Sequence, residues 1–115
     1  KLYFIDCISK TAGGGAGECE RCLYVNSPSD LTELSIAIMQ ALESLGDKKK
    51  FVFIDSLATF LMYNSAGTLS KFSHFLITKI SLMDVSGIFM SVEEEMDEKL
   101  ISELKSFCEK TITIK

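Results

Sequence analysis

The 115-residue chain has no tryptophan, one proline and one histidine. It also has no apolar run near the roughly 18 residues that cross a membrane. The single histidine, His74, leaves no basis for a histidine-rich metal centre, and it cannot be assigned as the base for a nucleophile such as Ser56. Eight phenylalanines and five methionines supply the bulk of a core in place of tryptophan. The length predicts a single domain spanning residues 1–115.

Positive charge is also scarce. The chain carries 12 Lys and Arg against 16 Asp and Glu, which gives a net charge of −4. Proteins that bind nucleic acid broadly carry a basic face, so a nucleic-acid partner is not expected. The one basic run, Lys48–Lys50, is interpreted as a solvated loop before a buried strand.

Four cysteines allow two kinds of interpretation. Cys7 and Cys108 lie in apolar patterns and are predicted to be small buried residues. Cys19 and Cys22 form a CxxC, which is half of a structural zinc site, so one hypothesis is zinc shared between two copies. A thioredoxin-like role is not favoured, because the pair precedes a short extended segment instead of opening a helix. The chain opens with a strand-like segment and not a signal peptide, and we expect a reducing, cytoplasmic location.

Strand and helix patterns alternate along the chain. Apolar or alternating runs predict strands at residues 2–8, 23–25, 51–56, 87–92 and 111–114, and helical spacing predicts helices at residues 31–45, 68–84 and 96–107. Asp30 with Glu33 has the form of a capping box, and Gly46 is a natural helix stop. The order predicts an α/β fold: a three-layer sandwich with a mostly parallel sheet of four to five strands, and with the strand at residues 111–114 at its edge.

Functional sites in open parallel sheets form beyond the carboxyl ends of the strands. Asp55 and Ser56 follow Phe51–Ile54, and Glu93–Glu95 follow the strand at residues 87–92. An apolar strand that ends in aspartate has the Walker-B form, in which the carboxylate helps to hold Mg²⁺ beside phosphates. The alternatives are that Asp55 caps the following turn, that Ser56 supports that turn, and that Glu93–Glu95 are the solvated start of the third helix.

Several segments, in order, resemble the later part of archaeal RecA/KaiC-like ATPase domains. Residues 51–57, FVFIDSL, are similar to the Walker-B strand of that family, and residues 3–7, YFIDC, resemble the strand that precedes it. Residues 27–34 and 72–90 resemble the intervening helix start and the following helix and strand. The resemblance implies a RecA/KaiC-like domain or domain fragment, with Asp55, Ser56 and Glu93 as nucleotide or Mg²⁺ ligands.

The chain departs from that family in lacking the phosphate-binding loop, G-x-x-x-x-G-K-[ST]. Gly13–Gly17 does not replace it, because the stretch has neither the lysine that reaches the β- and γ-phosphates nor the hydroxyl that binds Mg²⁺. Without that loop, Asp55 and Glu93–Glu95 form an acidic group that repels phosphates. No cofactor is therefore expected for this chain alone, and ATP with Mg²⁺ is expected only if such a loop lies upstream.

The sequence thus favours a degenerate or partial RecA/KaiC-like domain without independent ATPase activity, acting in protein interaction or regulation. A sheet that lacks its central strand exposes edges, so the expected partner is another protein or a second copy, with no membrane involved. The alternatives are a fragment of an active ATPase whose phosphate-binding loop precedes residue 1, and a small CxxC metal module built on Cys19 and Cys22.

Overall fold

The computed structural model describes residues 2–8, 21–92 and 96–114. The predictions made for Gly13–Gly17, Cys19 and Glu93–Glu95 lie outside these ranges. The chain divides into two compact units, residues 1–50 and 51–115. Its elements are β1 (Phe4–Asp6), β2 (Cys22–Tyr24), α1 (Leu31–Ser44), β3 (Phe51–Ile54), α2 (Leu57–Leu61), α3 (Ala66–Leu82), β4 (Ser86–Phe89) and α4 (Glu98–Phe107).

The first unit contains a parallel strand pair and one helix. β1 and β2 pair from Phe4 opposite Cys22 to Asp6 opposite Tyr24. The pairing ends where the Val25 N–H donates to the Asp6 carbonyl at 2.9 Å. The apolar face of α1 is buried as its spacing predicts, with Leu34, Ile38 and Leu42 at most 4% exposed.

Both ends of α1 form as the sequence predicts. The Asp30 carboxylate accepts a hydrogen bond from the Glu33 N–H at 3.0 Å, and Gly46 takes the left-handed φ of 72° that ends a helix. The capping box is only half formed. The Glu33 carboxylate does not return to Asp30 but accepts from the backbone N–H and side-chain amide of Asn26, at 3.2 and 2.9 Å.

Replacing Asp30 by alanine is expected to lower the free energy of unfolding by about 1 kcal/mol, because an N-terminal N–H of α1 loses its acceptor. Urea denaturation followed by circular dichroism measures the loss. Thr32→Ala, at an exposed position in the same turn, is the control and should change stability by less than about 0.5 kcal/mol. Equal effects of the two substitutions would show that the cap does not stabilise the helix.

The second unit pairs β3 with β4 in parallel, from Phe51 opposite Ser86 to Ile54 opposite Phe89. α3 begins two residues before its predicted start, because Ser65 caps it by accepting from the Thr68 N–H at 3.2 Å. Asp97 caps α4 in the same way, through the Leu100 N–H. The five-residue helix α2 was not predicted, since it is too short for helical periodicity to appear.

The prediction that β3 and β4 are buried on both faces is wrong. Phe51, Phe53 and Ile88 are 61%, 59% and 55% exposed. They share one face because paired residues of neighbouring strands point the same way. The other face packs on α3 so closely that a Cβ at Gly87 would lie 2.7 Å from Cδ1 of Ile80.

The α/β class with parallel strands is confirmed. Within the described residues the strands form two two-stranded sheets, and a sheet of four to five strands stays a prediction. The strand predicted at residues 111–114 is wrong for the single chain, because this segment pairs with no strand among the described residues. No helix in the described ranges has the length and apolar character needed to cross a membrane.

Candidate functional site

Asp55 lies at the carboxyl edge of the β3–β4 pair, as predicted. Backbone hydrogen bonds close this edge: the Met90 N–H donates to the Ile54 carbonyl at 3.0 Å, and the Leu57 N–H donates to the Met90 carbonyl at 2.8 Å. These bonds fix the chain on both sides of Asp55 and Ser56, which are joined by a cis peptide bond. Asp55 is exposed and Ser56 is half-buried.

The alternative role for Asp55, capping of the following turn, is wrong. The N-cap of α2 is Ser56, and its hydroxyl makes no capping hydrogen bond. Ser56 supports the turn through its backbone, because its carbonyl accepts from the Thr59 N–H at 3.2 Å. Among the described residues the Asp55 carboxylate has no hydrogen-bond or ion-pair partner, so its oxygens are open to a ligand from solvent.

The other acidic residues predicted for this edge are not part of the described structure. Glu93, which the resemblance pairs with Asp55, lies outside the described ranges. β4 ends at Phe89, and Met90 and Val92 beyond it are 47% and 46% exposed. Among the residues that the structure does describe, no three His, Cys, Asp or Glu side chains converge closely enough to hold a metal ion.

The three cysteines that the structure describes, Cys7, Cys22 and Cys108, give no open thiolate site. Cys22 is disulfide-bonded, and a disulfide sulfur is not a zinc ligand until it is reduced. Its predicted co-ligand Cys19 lies outside the described ranges, so the zinc hypothesis stays a prediction for the reduced chain. Burial, and then the nearby Asp6 and Glu33 carboxylates, raise the pKa of the free Cys7 thiol to about 11.

Cys108 is also a free thiol with its pKa raised by burial. Both free cysteines are half-buried instead of fully buried as predicted. Because their pKa values lie above the ordinary thiol value, both are protonated at neutral pH and are poor nucleophiles and poor metal ligands.

His74 packs on a ring instead of serving a nucleophile. It lies on the exposed side of α3, with its ring centroid 4.6 Å from that of Phe107 on α4. His74 is thus a partly packed residue on the surface of the helix. The observed contact gives His74 a structural role between two helices.

The sequence prediction missed a second polar edge, in the first unit. Asp6 ends β1, and its carboxylate accepts from the Ile8 N–H at 2.9 Å. Asn26 follows β2 and is held by Glu33 at the start of α1. The sequence shows Asp6 in the first apolar run and Asn26 directly after the strand predicted at residues 23–25. It does not show that β1 and β2 pair with each other, and this pairing is what places the two polar residues at one edge.

A shallow cleft lies elsewhere in the first unit. Its volume is about 450 Å³, and it is lined by Tyr3, Leu23, Gln40, Ala41, Glu43 and Ser44. None of the residues predicted to bind nucleotide or metal lines it. The cleft is therefore not a site that the sequence predicts. The predicted position that the structure does show is that of Asp55, at the carboxyl edge of the β3–β4 pair.

Comparison with known proteins gives one match. The model of a family of unknown function, DUF7504, matches residues 4–114. Neither a curated protein nor a solved structure matches the chain.

Proposed function

The chain belongs to the family of unknown function DUF7504, and we propose that it is a degenerate or partial RecA/KaiC-like nucleotide-binding domain without independent ATPase activity. In this proposal its fold is a three-layer sandwich whose mostly parallel sheet has four to five strands. Its work is protein interaction or regulation in the cytoplasm.

The observation that carries the proposal is the unpartnered, exposed Asp55 carboxylate at the carboxyl edge of β3. This is where a Walker-B aspartate meets Mg²⁺ in an ATPase domain. Capping of α2 does not explain an aspartate here, because the N-cap position of that helix is Ser56 and not Asp55. The position of this carboxylate supports the proposal that the domain derives from a nucleotide-binding one.

The same edge lacks the groups that grip phosphate. In ATPases of this kind, backbone N–H groups of a glycine-rich loop and a lysine surround the β- and γ-phosphates. Neither the sequence of this chain nor the residues around Asp55 supply them. A carboxylate without them repels the triphosphate unless Mg²⁺ screens it, so binding to the chain alone is expected to be weak or absent.

The interaction role is supported by the open face of the β3–β4 sheet. Phe51, Phe53 and Ile88 present large apolar side chains to solvent side by side. Neighbouring exposed apolar residues of this size mark surfaces that bind another protein. A domain without catalytic activity can still act in regulation by binding another protein through such a surface.

Titration of the chain with a fluorescent ATP analogue and Mg²⁺ tests the proposal. We expect no saturable signal, no ATP hydrolysis, and no difference between the wild-type chain and Asp55→Asn. An ATPase with an intact phosphate-binding loop serves as the positive control for the assay. Asp47→Asn, which changes another exposed aspartate, is the matched control.

Saturable binding that is lost in Asp55→Asn and kept in Asp47→Asn would overturn the proposal. It would favour the alternative, an active ATPase whose phosphate-binding loop precedes residue 1, because the open Asp55 carboxylate is also what that enzyme needs. For that alternative, a longer native chain should hydrolyse ATP and should lose the activity in Asp55→Asn.

A further inference from the structure

We propose that residues 111–114 of one copy add as a third, parallel strand to the outer edge of β4 in a second copy. This inference rests on the proposed function, since it names the partner of the interaction module. It joins two features of the described structure: the outer edge of β4, which has no strand partner, and the segment at residues 111–114, which pairs with no strand.

The open edge is the side of β4 that faces away from β3. Met90 directs both its N–H and its carbonyl towards the β3 side, at 3.0 and 2.8 Å from their partners. Successive residues of a strand direct these groups to opposite sides, so those of Gly87 and Phe89 point to the outer edge. In the described parts of the chain nothing pairs with that edge. A row of unpaired backbone groups is a template for another strand.

The segment Thr111–Ile114 is suited to fill that edge. It alternates threonine and isoleucine, both of which favour strands, and it has the same four-residue length as β4. Ile112 and Ile114 are 74% and 91% exposed. Its backbone makes no hydrogen bond to the rest of the described structure. Such a segment can bind by strand addition, in which backbone hydrogen bonds hold it and alternate side chains set the register.

The charges and the apolar residues of the two strands favour the same parallel register of residues 111–114 against β4. Placing Lys110 opposite Asp84, an exposed acid just before β4, brings opposite charges to the same end of the two strands. That alignment sets Ile112 opposite Ser86 and Ile114 opposite Ile88. The two isoleucines then extend the exposed face that Phe51, Phe53 and Ile88 begin, and their apolar surface is covered together with it. An antiparallel alignment would separate Lys110 from Asp84.

A second copy is the occupant because the same chain carries both the outer edge of β4 and the segment at residues 111–114, and the charges and apolar residues of the two match in one register. Two copies satisfy both by exchanging segments reciprocally, which gives a closed twofold dimer. The exchange also gives the β3–β4 pair of each copy a third strand. A two-stranded pair by itself is only marginally stable, so the third strand stabilises it.

Size-exclusion chromatography with light scattering over a concentration series tests the proposal. We expect the wild-type chain to form a dimer at the higher concentrations. A chain that ends at Lys110 and the variant Ile112→Asp should remain monomeric at those concentrations. Ile36→Asp, which places the same charge at an isoleucine of α1 that is 54% exposed, is the matched control and should still dimerise.

A wild-type monomer at every concentration would overturn the proposal, and so would a dimer that survives removal of residues 111–115. Neither result depends on nucleotide, so failure of this inference and failure of the proposed function are distinguishable: the second appears only as saturable ATP binding that requires Asp55.

A double-mutant cycle tests the register. Asp84→Asn keeps a residue that tolerates the φ of 57° at this position, and Lys110→Gln removes the opposing charge. Each is expected to raise the dimer dissociation constant about two- to thirty-fold, because the twofold dimer loses two exposed ion pairs at once. The double variant should be no weaker than either single variant. Independent, multiplying effects would overturn the parallel register.

Discussion

Replacing Leu76 by alanine is expected to lower the free energy of unfolding by about 3 kcal/mol, because the substitution removes buried methyl groups and leaves a cavity. Leu76 lies in the middle of α3 and is 0% exposed. Its side chain has no route to solvent, so the surrounding side chains must collapse around the space or leave it empty. Urea denaturation measured by circular dichroism and by tyrosine fluorescence gives the loss.

The same helix supplies a matched control for that experiment. Leu82 is the last residue of α3 and is 81% exposed. Leu82→Ala makes the same chemical change without a cavity and should alter stability by less than about 0.5 kcal/mol. If the two substitutions cost the same, α3 does not pack with Leu76 in its core and the described fold of the second unit is wrong.

Two serines one turn apart on α3 are expected to respond to alanine with opposite signs. The Ser70 hydroxyl donates to the carboxylate of Glu103 on α4, and Ser70 is 7% exposed. Ser73 is 1% exposed, and its hydroxyl has no partner among the described residues. The helix, the residue type and the burial are alike, so the difference between the two sites is the hydrogen bond.

Ser70→Ala should lower the free energy of unfolding by about 1 kcal/mol, because the half-buried Glu103 carboxylate loses its donor. Ser73→Ala should raise it by about 1 kcal/mol, because an unsatisfied buried hydroxyl is removed and alanine favours the helix. Both are measured by urea denaturation under identical conditions. Losses of similar size in both variants would contradict the hydrogen-bond assignment between α3 and α4.

Local signals predicted the helices of this protein well. The limits of α1 follow from Asp30 at its start and from Gly46, whose φ of 72° few other residues adopt. These signals act within one helical turn, so a single sequence carries them. The unpredicted helix α2 spans only Leu57–Leu61, which is too short for a repeat of 3.6 residues to be recognised.

Strand environment was predicted less well, because it depends on which elements cover each face. Phe51–Ile54 contains four consecutive apolar residues, and such a run predicts burial on both faces. The structure covers the face of Ile54 and leaves Phe51 and Phe53 exposed. Thr111–Ile114 has a strand pattern, yet a strand forms only where a partner edge is available. No local rule supplies that information.

In the candidate site, too, the features set by local sequence were predicted, and those set by contacts between elements were not. Asp55 was predicted from the four apolar residues before it, and its place at the carboxyl edge of a parallel pair needs only the order of strands and helices. The capping geometry at Ser56 and the bonds between Asn26 and Glu33 required coordinates. In the second case a glutamate expected to cap its own helix binds a residue seven positions earlier.

In the proposed function, the edge of the β3–β4 pair at Asp55 does not hold a nucleoside triphosphate, because no phosphate-binding loop accompanies it. The most direct test is an amide-resolved NMR titration of this chain with Mg²⁺-ATP. We expect the backbone amide signals of Asp55, Ser56 and Leu57 to keep their positions as nucleotide is added. Saturable shifts centred on those three amides, absent when Mg²⁺ is omitted, would contradict it.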